Sequence, residues 1–422
     1  MTQAVWSTAH GQPLEVTNLQ GEQVSRLASH VDPLLVAFAP LWLLWPSPYL
    51  LLIAQAVAVA LGAVPVFWLA RKHLASEIAA AGFALAYLLY APVQWLPLDD
   101  FHAVALACPL LLFAFWYLDE DRIGNFAAFA LAATLAKEEI GLAVAAMGIW
   151  YVIAQRRFRI GAAITALGTA WMIVAIAIVI PAAGDDGSDF YGRYEEVGGS
   201  PLGIAETALT DPGRLLEVAF DKRGVEYLAE LVLPLAALPL LAPAALLLAV
   251  PELAVNLLSS TVTQTSIHFH YTAGAVPGFA VAGVLGAARV TRYRPRLTTP
   301  VCVLVVATSF ASAVLLGPVP DRIDQYDRTE RDRTSAEALE VIPAREPVSA
   351  TNTLGAHLSE RSRVFSFPVV REARWIAVDE ERPSLGDRLN PPEAGARIAA
   401  LRRNQAWRIV FDRDGILVLA RR

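Results

Sequence analysis

Apolar runs about as long as a membrane is thick follow one another through the first three quarters of the chain, each closed by a few charged or turn-forming residues. A helix needs roughly 17–25 such residues to cross a bilayer. By that measure spans are predicted at 47–70, 75–91, 102–118, 160–182, 231–250, 271–288 and 297–317. A weaker candidate covers 251–267. The run 33–45 is too short to cross and is closed by Pro46, so it is expected to be interfacial or re-entrant, with Trp42 and Trp45 in the headgroup zone. The run 123–154 is apolar throughout except for Lys137, Glu138 and Glu139 at its middle, and it is either one long span or two short ones.

Loop charge decides between those two. Basic residues favour the cytoplasmic side, and the short basic loops are "RKH" at 71–73, "RRFR" at 156–159 and "RVTRYRPR" at 289–296. Counting spans from 71–73 inside, "LPLDDFH" falls outside and "DEDR" at 119–122 inside. "RRFR" returns inside only if 123–154 holds two spans. "KEE" is then an external turn. Each half of the run is roughly 21–25 Å long as helix, short of a hydrocarbon core of about 30 Å. The turn is therefore expected to sit below the membrane surface, in a water-filled cavity.

Beyond residue 320 the pattern changes. No long apolar run occurs, and short alternating pieces predict strands: "PVSAT", "RVFSF", "RWIAVD" and "WRIVFDRDGILVLA", the last a hairpin turning at Asp414-Gly415. Helical patterns, "RTSAEALEVI" and "PEAGARIAALRRNQ", lie between them. The expected organisation is an external loop with an interfacial helix (1–46), a transmembrane helical domain (47–317, with a long external loop at 183–230) and an external α/β domain (320–422). Within that loop, 201–220 reads as an amphipathic helix on the membrane surface.

Composition agrees with a membrane protein. Of 422 residues 55% are hydrophobic and 18% charged, against about 25% charged in soluble domains. A net charge of −6 gives no basic footprint for nucleic acid. The two cysteines, Cys108 and Cys302, lie in apolar runs and form no disulfide framework. The opening "MTQAVWSTAHGQPLEV" has neither the basic start nor the apolar core of a signal peptide and reads as a loop in mid-course.

The candidate chemistry sits at the span ends. His30 and Asp32 precede the interfacial run; Asp99, Asp100 and His102 end "PLDDFH"; Lys137, Glu138 and Glu139 form the recessed turn; His268, His270 and Tyr271 occupy "SIHFHY". All fall on the predicted outer side. Charges held within a membrane usually face a cavity and serve a function. Carboxylates beside histidines suit a general base or a divalent cation, and Lys137 suits direct contact with a phosphate. Each has a structural alternative. "KEE" can be a solvated turn with an internal ion pair, Asp100 a helix cap, the histidines interfacial packing, and "DEDR" a solvated turn. Glu252 and Asn256, at i and i+4, share one helix face and read as structural polar groups between spans. His268 and His270, at i and i+2, point to different sides of a helix and share a site only if the segment is irregular.

The motifs "QAVWSTAHG" (3–11), "SHVDPLL" (29–35), "PSPYLLLIAQAVAVALGAVPVFWLA" (46–70), "DFHAVALACPLLLFAFWYL" (100–118), "KEEIGL" (137–142), "PELAVNLLSS" (251–260) and "IHFHY" (267–271), with the tail "PVSATNTLGAHLSERSRVFSFP", resemble the bacterial membrane protein family called domain of unknown function 2079. That family is similar to GT-C-type glycosyltransferases. The resemblance implies an α-helical polytopic fold of about 9–10 spans in the inner (cytoplasmic) membrane, with a small α/β domain outside. It also implies a polyprenyl-phosphate-linked sugar as donor, membrane lipid as surroundings and an envelope acceptor. The family's first span, and the Asp-x-Gly element that precedes the matching Gln3, do not stand in this sequence, which implies either a natural start upstream or a degenerate, inactive copy. Asp100 is the substitute base, with His102 and Glu138 as its catalytic partners, and Lys137, Glu139, His30, His268, His270 and Tyr271 bind substrate. Without a base the chain would be inactive. The remaining alternatives are a secondary transporter and a non-catalytic envelope scaffold.

Overall fold

A computed structural model describes residues 1–98, 100–184, 188–323, 327–384, 387 and 394–422. The chain divides into two compact units. One comprises Ser29–Leu34 and Leu52–Ile323; the other comprises Met1–Ala28, Leu35–Leu51 and Asp324–Arg422.

The larger unit is helical. Among the described residues three helices are long and apolar enough to cross a membrane: Pro48–Leu74, Phe158–Ala182 and Pro295–Pro320. Glu77–Leu89, Ala103–Asp119, Ile123–Thr134 and Ile140–Gln155 are apolar but shorter. Glu77–Leu89 starts where Ser76 Oγ accepts the Ala79 N–H at 3.2 Å. It stops before Pro92, whose missing N–H cannot continue the ladder.

The run 123–154 is two helices joined by a turn, as loop charge predicts. They have 12 and 16 residues, or about 18 and 24 Å. The second packs on Phe158–Val174 at backbone contact. A Cβ on Gly148 would stand 2.6 Å from Gly161 O, and one on Gly141 would stand 2.5 Å from Gly168 O. Thr165 Oγ1 donates to Ala145 O across the pair at 3.1 Å.

The expected span 231–250 is not a continuous helix. It is broken into short turns at Leu233–Leu235, Leu238–Leu241 and Pro243–Leu246. Pro234, Pro239 and Pro243 each remove a donor and crowd the preceding turn, and Ala236 and Ala237 take left-handed φ of 54° and 55°. The helix Val276–Tyr293, which starts five residues later than the predicted 271, lies on this segment. Gly286 permits the approach, since a Cβ there would stand 2.0 Å from Leu238 O.

The loops at 71–73, 119–122 and 156–159, which span counting assigns to one side, are bonded to one another. Lys72 Nζ is 2.8 Å from Asp119 Oδ2 and 2.6 Å from Glu120 Oε1. His73 Nε2 lies 2.9 Å from Asp119 Oδ2, and Arg157 donates to Asp121 Oδ2 at 2.6 Å. "DEDR" is therefore not merely a solvated turn: the Asp119 side chain is 2% exposed. Asp119→Ala is expected to lower stability in detergent by about 1–3 kcal/mol, read from thermal unfolding. That is less than for a wholly buried pair, because Lys72 stays partly in solvent.

The smaller unit has a five-stranded mixed sheet. Its strands are β3 (Val348–Ala350), β4 (Val364–Ser366), β5 (Trp375–Asp379), β6 (Trp407–Arg413) and β7 (Ile416–Arg421), in the order β4-β3-β5-β7-β6. β6 and β7 form the predicted hairpin. Asp414 and Gly415 have φ of 51° and 74°, as a two-residue type I′ turn requires. The predicted helices lie at Glu330–Glu340 and Ala394–Arg403, the latter's expected first residues, Pro392 and Glu393, being outside the described residues. Residues from the start of the chain belong to this unit. Helix Thr2–Ala9 and a small hairpin, β1 (Glu15–Thr17) with β2 (Gln23–Ser25), are tied in by Gln3. Its Nε2 donates to Arg361 O at 3.2 Å and to Ser362 O at 3.0 Å, and its Oε1 accepts the Thr17 N–H at 2.9 Å.

The run 33–45 is a 3-10 turn, Pro33–Phe38, followed by helix Ala39–Leu44. Trp42 is buried, at 1% exposure, rather than on a surface; Trp45 is exposed. The stretch 201–220 is two helices, Pro201–Thr210 and Pro212–Ala219, divided by Asp211-Pro212, with Leu202, Leu209, Leu216 and Phe220 exposed along them.

Candidate functional site

The turn 135–139 is held by the segment before the interfacial run. Leu34 N–H donates to Leu135 O at 2.9 Å. The Glu138 carboxylate closes on that segment from both oxygens: His30 Nδ1 lies 2.9 Å from Oε1, and Val31 N–H donates to Oε2 at 2.9 Å. Lys137 turns the other way, with Nζ 2.5 Å from Glu139 Oε1. These side chains are largely removed from solvent, Lys137 at 16% and Glu139 at 9% exposure. The turn is therefore a recessed cluster of charges, not a solvated bend.

Helix Val250–Leu257 brings a third carboxylate. Glu252 is buried and within electrostatic reach of Lys137, Glu138 and Glu139. Gly274 closes over it so tightly that a Cβ would stand 2.6 Å from Glu252 Oε2. One turn further on, Asn256 is fully buried, and its Nδ2 donates to Tyr227 Oη at 3.0 Å and to Tyr271 O at 2.7 Å.

The segment around "IHFHY" is irregular, with a single 3-10 turn at His270–Thr272, and it divides the two histidines. His270 stacks on His102 with ring centroids 3.6 Å apart and planes 20° apart. His268 packs instead edge-on to Trp95 at 4.6 Å, with Ser266 Oγ 2.9 Å from its Nδ1. Tyr271 joins the halves: its ring lies 4.3 Å from that of His270 and 5.8 Å from Lys137 Nζ. His102 Nδ1 is 3.0 Å from Asp100 Oδ1, whose side chain is 74% exposed. Asp99 lies outside the described residues.

A continuous row results: Glu252 and Glu139, Lys137, Tyr271, His270, His102, Asp100. Gln55 supports its far end. Buried in helix Pro48–Leu61, it accepts the His102 N–H on Oε1 at 2.8 Å and donates to Leu96 O and Asp100 O. A lone glutamine in "LIAQAVAV" was the signal for it. Tyr227 and Gly274 left no such mark. Asp32, also buried, lies beside His30, whose carbonyl accepts its N–H.

The cluster mixes one cation, Lys137, with four carboxylates and three histidines, so it can take up or release protons and hold polar groups away from bulk water. Among the described residues no three His, Cys, Asp or Glu side chains are arranged to hold a metal.

A family model described as "Predicted membrane protein (DUF2079)" matches residues 1–418. Among solved structures, the crystal structure of ArnT from Cupriavidus metallidurans in the apo state aligns with a TM-score of 0.54. The alignment is 11% identical and covers 99% of this chain and 92% of that one. At that identity the likeness is one of fold: an ArnT-like helical membrane protein with a small C-terminal sheet region. No curated protein matches the chain.

Proposed function

Because the chain belongs to the family of predicted membrane proteins DUF2079 and has an ArnT-like fold, we propose that it is a glycosyltransferase moving a sugar from a polyprenyl-phosphate carrier to an acceptor. The reaction takes place at the outer face of the bacterial inner membrane, and the C-terminal α/β unit is external. The observation that carries this reading is the half-buried row from Lys137 through Tyr271 and His270 to His102, which ends at the exposed Asp100. It offers what transfer from a lipid phosphate needs, namely cationic and N–H groups for the departing phosphate and carboxylates for the acceptor proton. In the reaction the acceptor oxygen bonds to the anomeric carbon as the bond from that carbon to the phosphate oxygen breaks, and its electron pair leaves on the phosphate. Lys137 and the His102–His270 pair steady that charge. Glu138 fixes His30 and the turn. Helices of 12 and 16 residues around the turn thin the membrane locally and let a lipid carrier reach it.

Membranes containing the protein, incubated with radiolabelled polyprenyl-phosphate sugars, are expected to move label into a lipid or polymer acceptor. No transfer across the set of donors overturns the proposal. A secondary transporter is the second reading, favoured by the proline-broken segment 233–246 immediately ahead of a buried carboxylate; uptake of sugar phosphates into proteoliposomes separates the two.

A further inference from the structure

The carboxylates of the cluster are not equally engaged. Glu138 accepts from His30 and from the Val31 backbone. Glu139 is neutralised by Lys137. Asp100 faces solvent and is paired with His102. Glu252 is different: it is 5% exposed and, among the described residues, has neither a hydrogen bond nor an ion pair. A carboxylate this little exposed is costly to leave without a donor. Its neighbourhood does not offer one. Gly274 presents no side chain to it, and the nearest cation, Lys137, is committed to Glu139.

A second group on the same helix face shows the same lack. Asn256 is fully buried and its Oδ1 has no hydrogen-bond partner. Its amide orientation is fixed, because Nδ2 must face the Tyr271 carbonyl, an acceptor only. Two unmatched acceptors thus stand one helical turn apart, at i and i+4. What completes them must bring donors of its own. A hydroxylated ligand does, and a phosphate dianion does not.

From this we infer that Glu252 is the proton acceptor of the site, facing the hydroxyl of the acceptor substrate, with Asn256 Oδ1 receiving a second hydroxyl of the same molecule. The inference rests on the glycosyltransferase reading and deepens it. The acceptor O–H proton passes to a Glu252 carboxylate oxygen while the acceptor oxygen bonds to the anomeric carbon and the phosphate departs with the electron pair of the broken bond. Glu139 and Lys137 remain an ion pair throughout, and Lys137 faces the phosphate side through Tyr271.

The experiment has two arms, both on the full chain in lipid nanodiscs. In the first, dicyclohexylcarbodiimide, which modifies carboxyl groups that pick up a proton in apolar surroundings, is applied and the modified residue is found by peptide mapping. Glu252 is expected to be labelled, with the label lost in Glu252→Gln and no label on Glu138 or Glu139. Absence of label at Glu252 overturns the inference whether or not transfer is seen. In the second arm, Glu252→Gln is expected to lower kcat for sugar transfer by about 100-fold or more, with the donor KM changed by less than about threefold. Transfer at the wild-type rate by Glu252→Gln overturns the inference and leaves the glycosyltransferase reading standing. No transfer by the wild type from any donor overturns that reading instead, and labelling alone then decides whether Glu252 exchanges protons. Should Glu252→Gln misfold, Gly274→Ser serves in its place. It keeps the carboxylate but puts a hydroxyl against it, and it is expected to lower both labelling and kcat; unchanged labelling and rate overturn the inference.

Discussion

Lys137→Ala is expected to destabilise the protein by about 3–5 kcal/mol, the range for leaving a buried charge without its partner. Lys137 Nζ lies 2.5 Å from Glu139 Oε1, and Glu138 and Glu252 are within its electrostatic reach. Glu138 has further donors in His30 and the Val31 N–H. Removing the cation therefore leaves Glu139, 9% exposed, without its countercharge. Thermal unfolding in detergent, followed by circular dichroism, measures the loss. The double variant Lys137→Met, Glu139→Gln is expected to recover at least half of it, because it removes an anion together with the cation. Equal unfolding temperatures for wild type and Lys137→Ala would show that the ammonium is not the cluster's countercharge. In the transfer assay Lys137→Ala is expected to be inactive even at temperatures where it is folded, since Lys137 is the ammonium that lies against Glu139 and Tyr271.

Much of this arrangement is legible in the sequence, for a physical reason. A charge inside an apolar run is costly enough to be placed deliberately, and loop charge fixes which side each turn faces. That pair of rules divides 123–154 into two helices. It also assigns 71–73, 119–122 and 156–159 to one side, where Lys72, Asp119, Asp121 and Arg157 do meet. The hairpin at Asp414-Gly415 was legible because left-handed turns favour Asp and Gly. Contacts between distant residues were not. Nothing in "SHVDPLL" shows that His30 meets Glu138, 108 positions away. The pairing of His270 rather than His268 with His102 depends on an irregular backbone that periodicity cannot describe. The break in 231–250 was there to be read in Pro234, Pro239 and Pro243, but a hydropathy window averages over prolines and sees only leucine and alanine. Glu252 was legible as a buried polar group. Its lack of a donor is a property of the neighbours it does not have, and only three-dimensional packing reveals that.

Gly148→Val is expected to have the largest effect of any single substitution away from the charges, about 3 kcal/mol or more. Glycines recur seven residues apart on both helices of the tightest pair, 141 and 148 on one, 161 and 168 on the other. Each would press a Cβ against backbone of the facing helix, at 2.7 Å or less. A Cβ on Gly148 meets Gly161 O at 2.6 Å and Thr165 N at 2.6 Å; one on Gly168 meets Gly141 O at 2.4 Å. Backbone cannot swing aside as a side chain tip can, so the helices must separate along their length, losing dispersion contacts that drive association in lipid and the Thr165 bond to Ala145 O. Gly124→Ala is the control. It lies in helix Ile123–Thr134 with nothing within 4 Å of its added Cβ, and it is expected to stabilise by about 0.5–1 kcal/mol through helix propensity alone. The two changes differ in function as well. Gly141 stands in the first turn of the helix that follows Glu139, so parting the pair moves the Lys137 turn relative to Tyr271 and Glu252. Gly148→Val is therefore expected to abolish carbodiimide labelling of Glu252 and sugar transfer together, while Gly124→Ala changes neither, and unfolding temperature, labelling and transfer measured on the same preparations test the linkage.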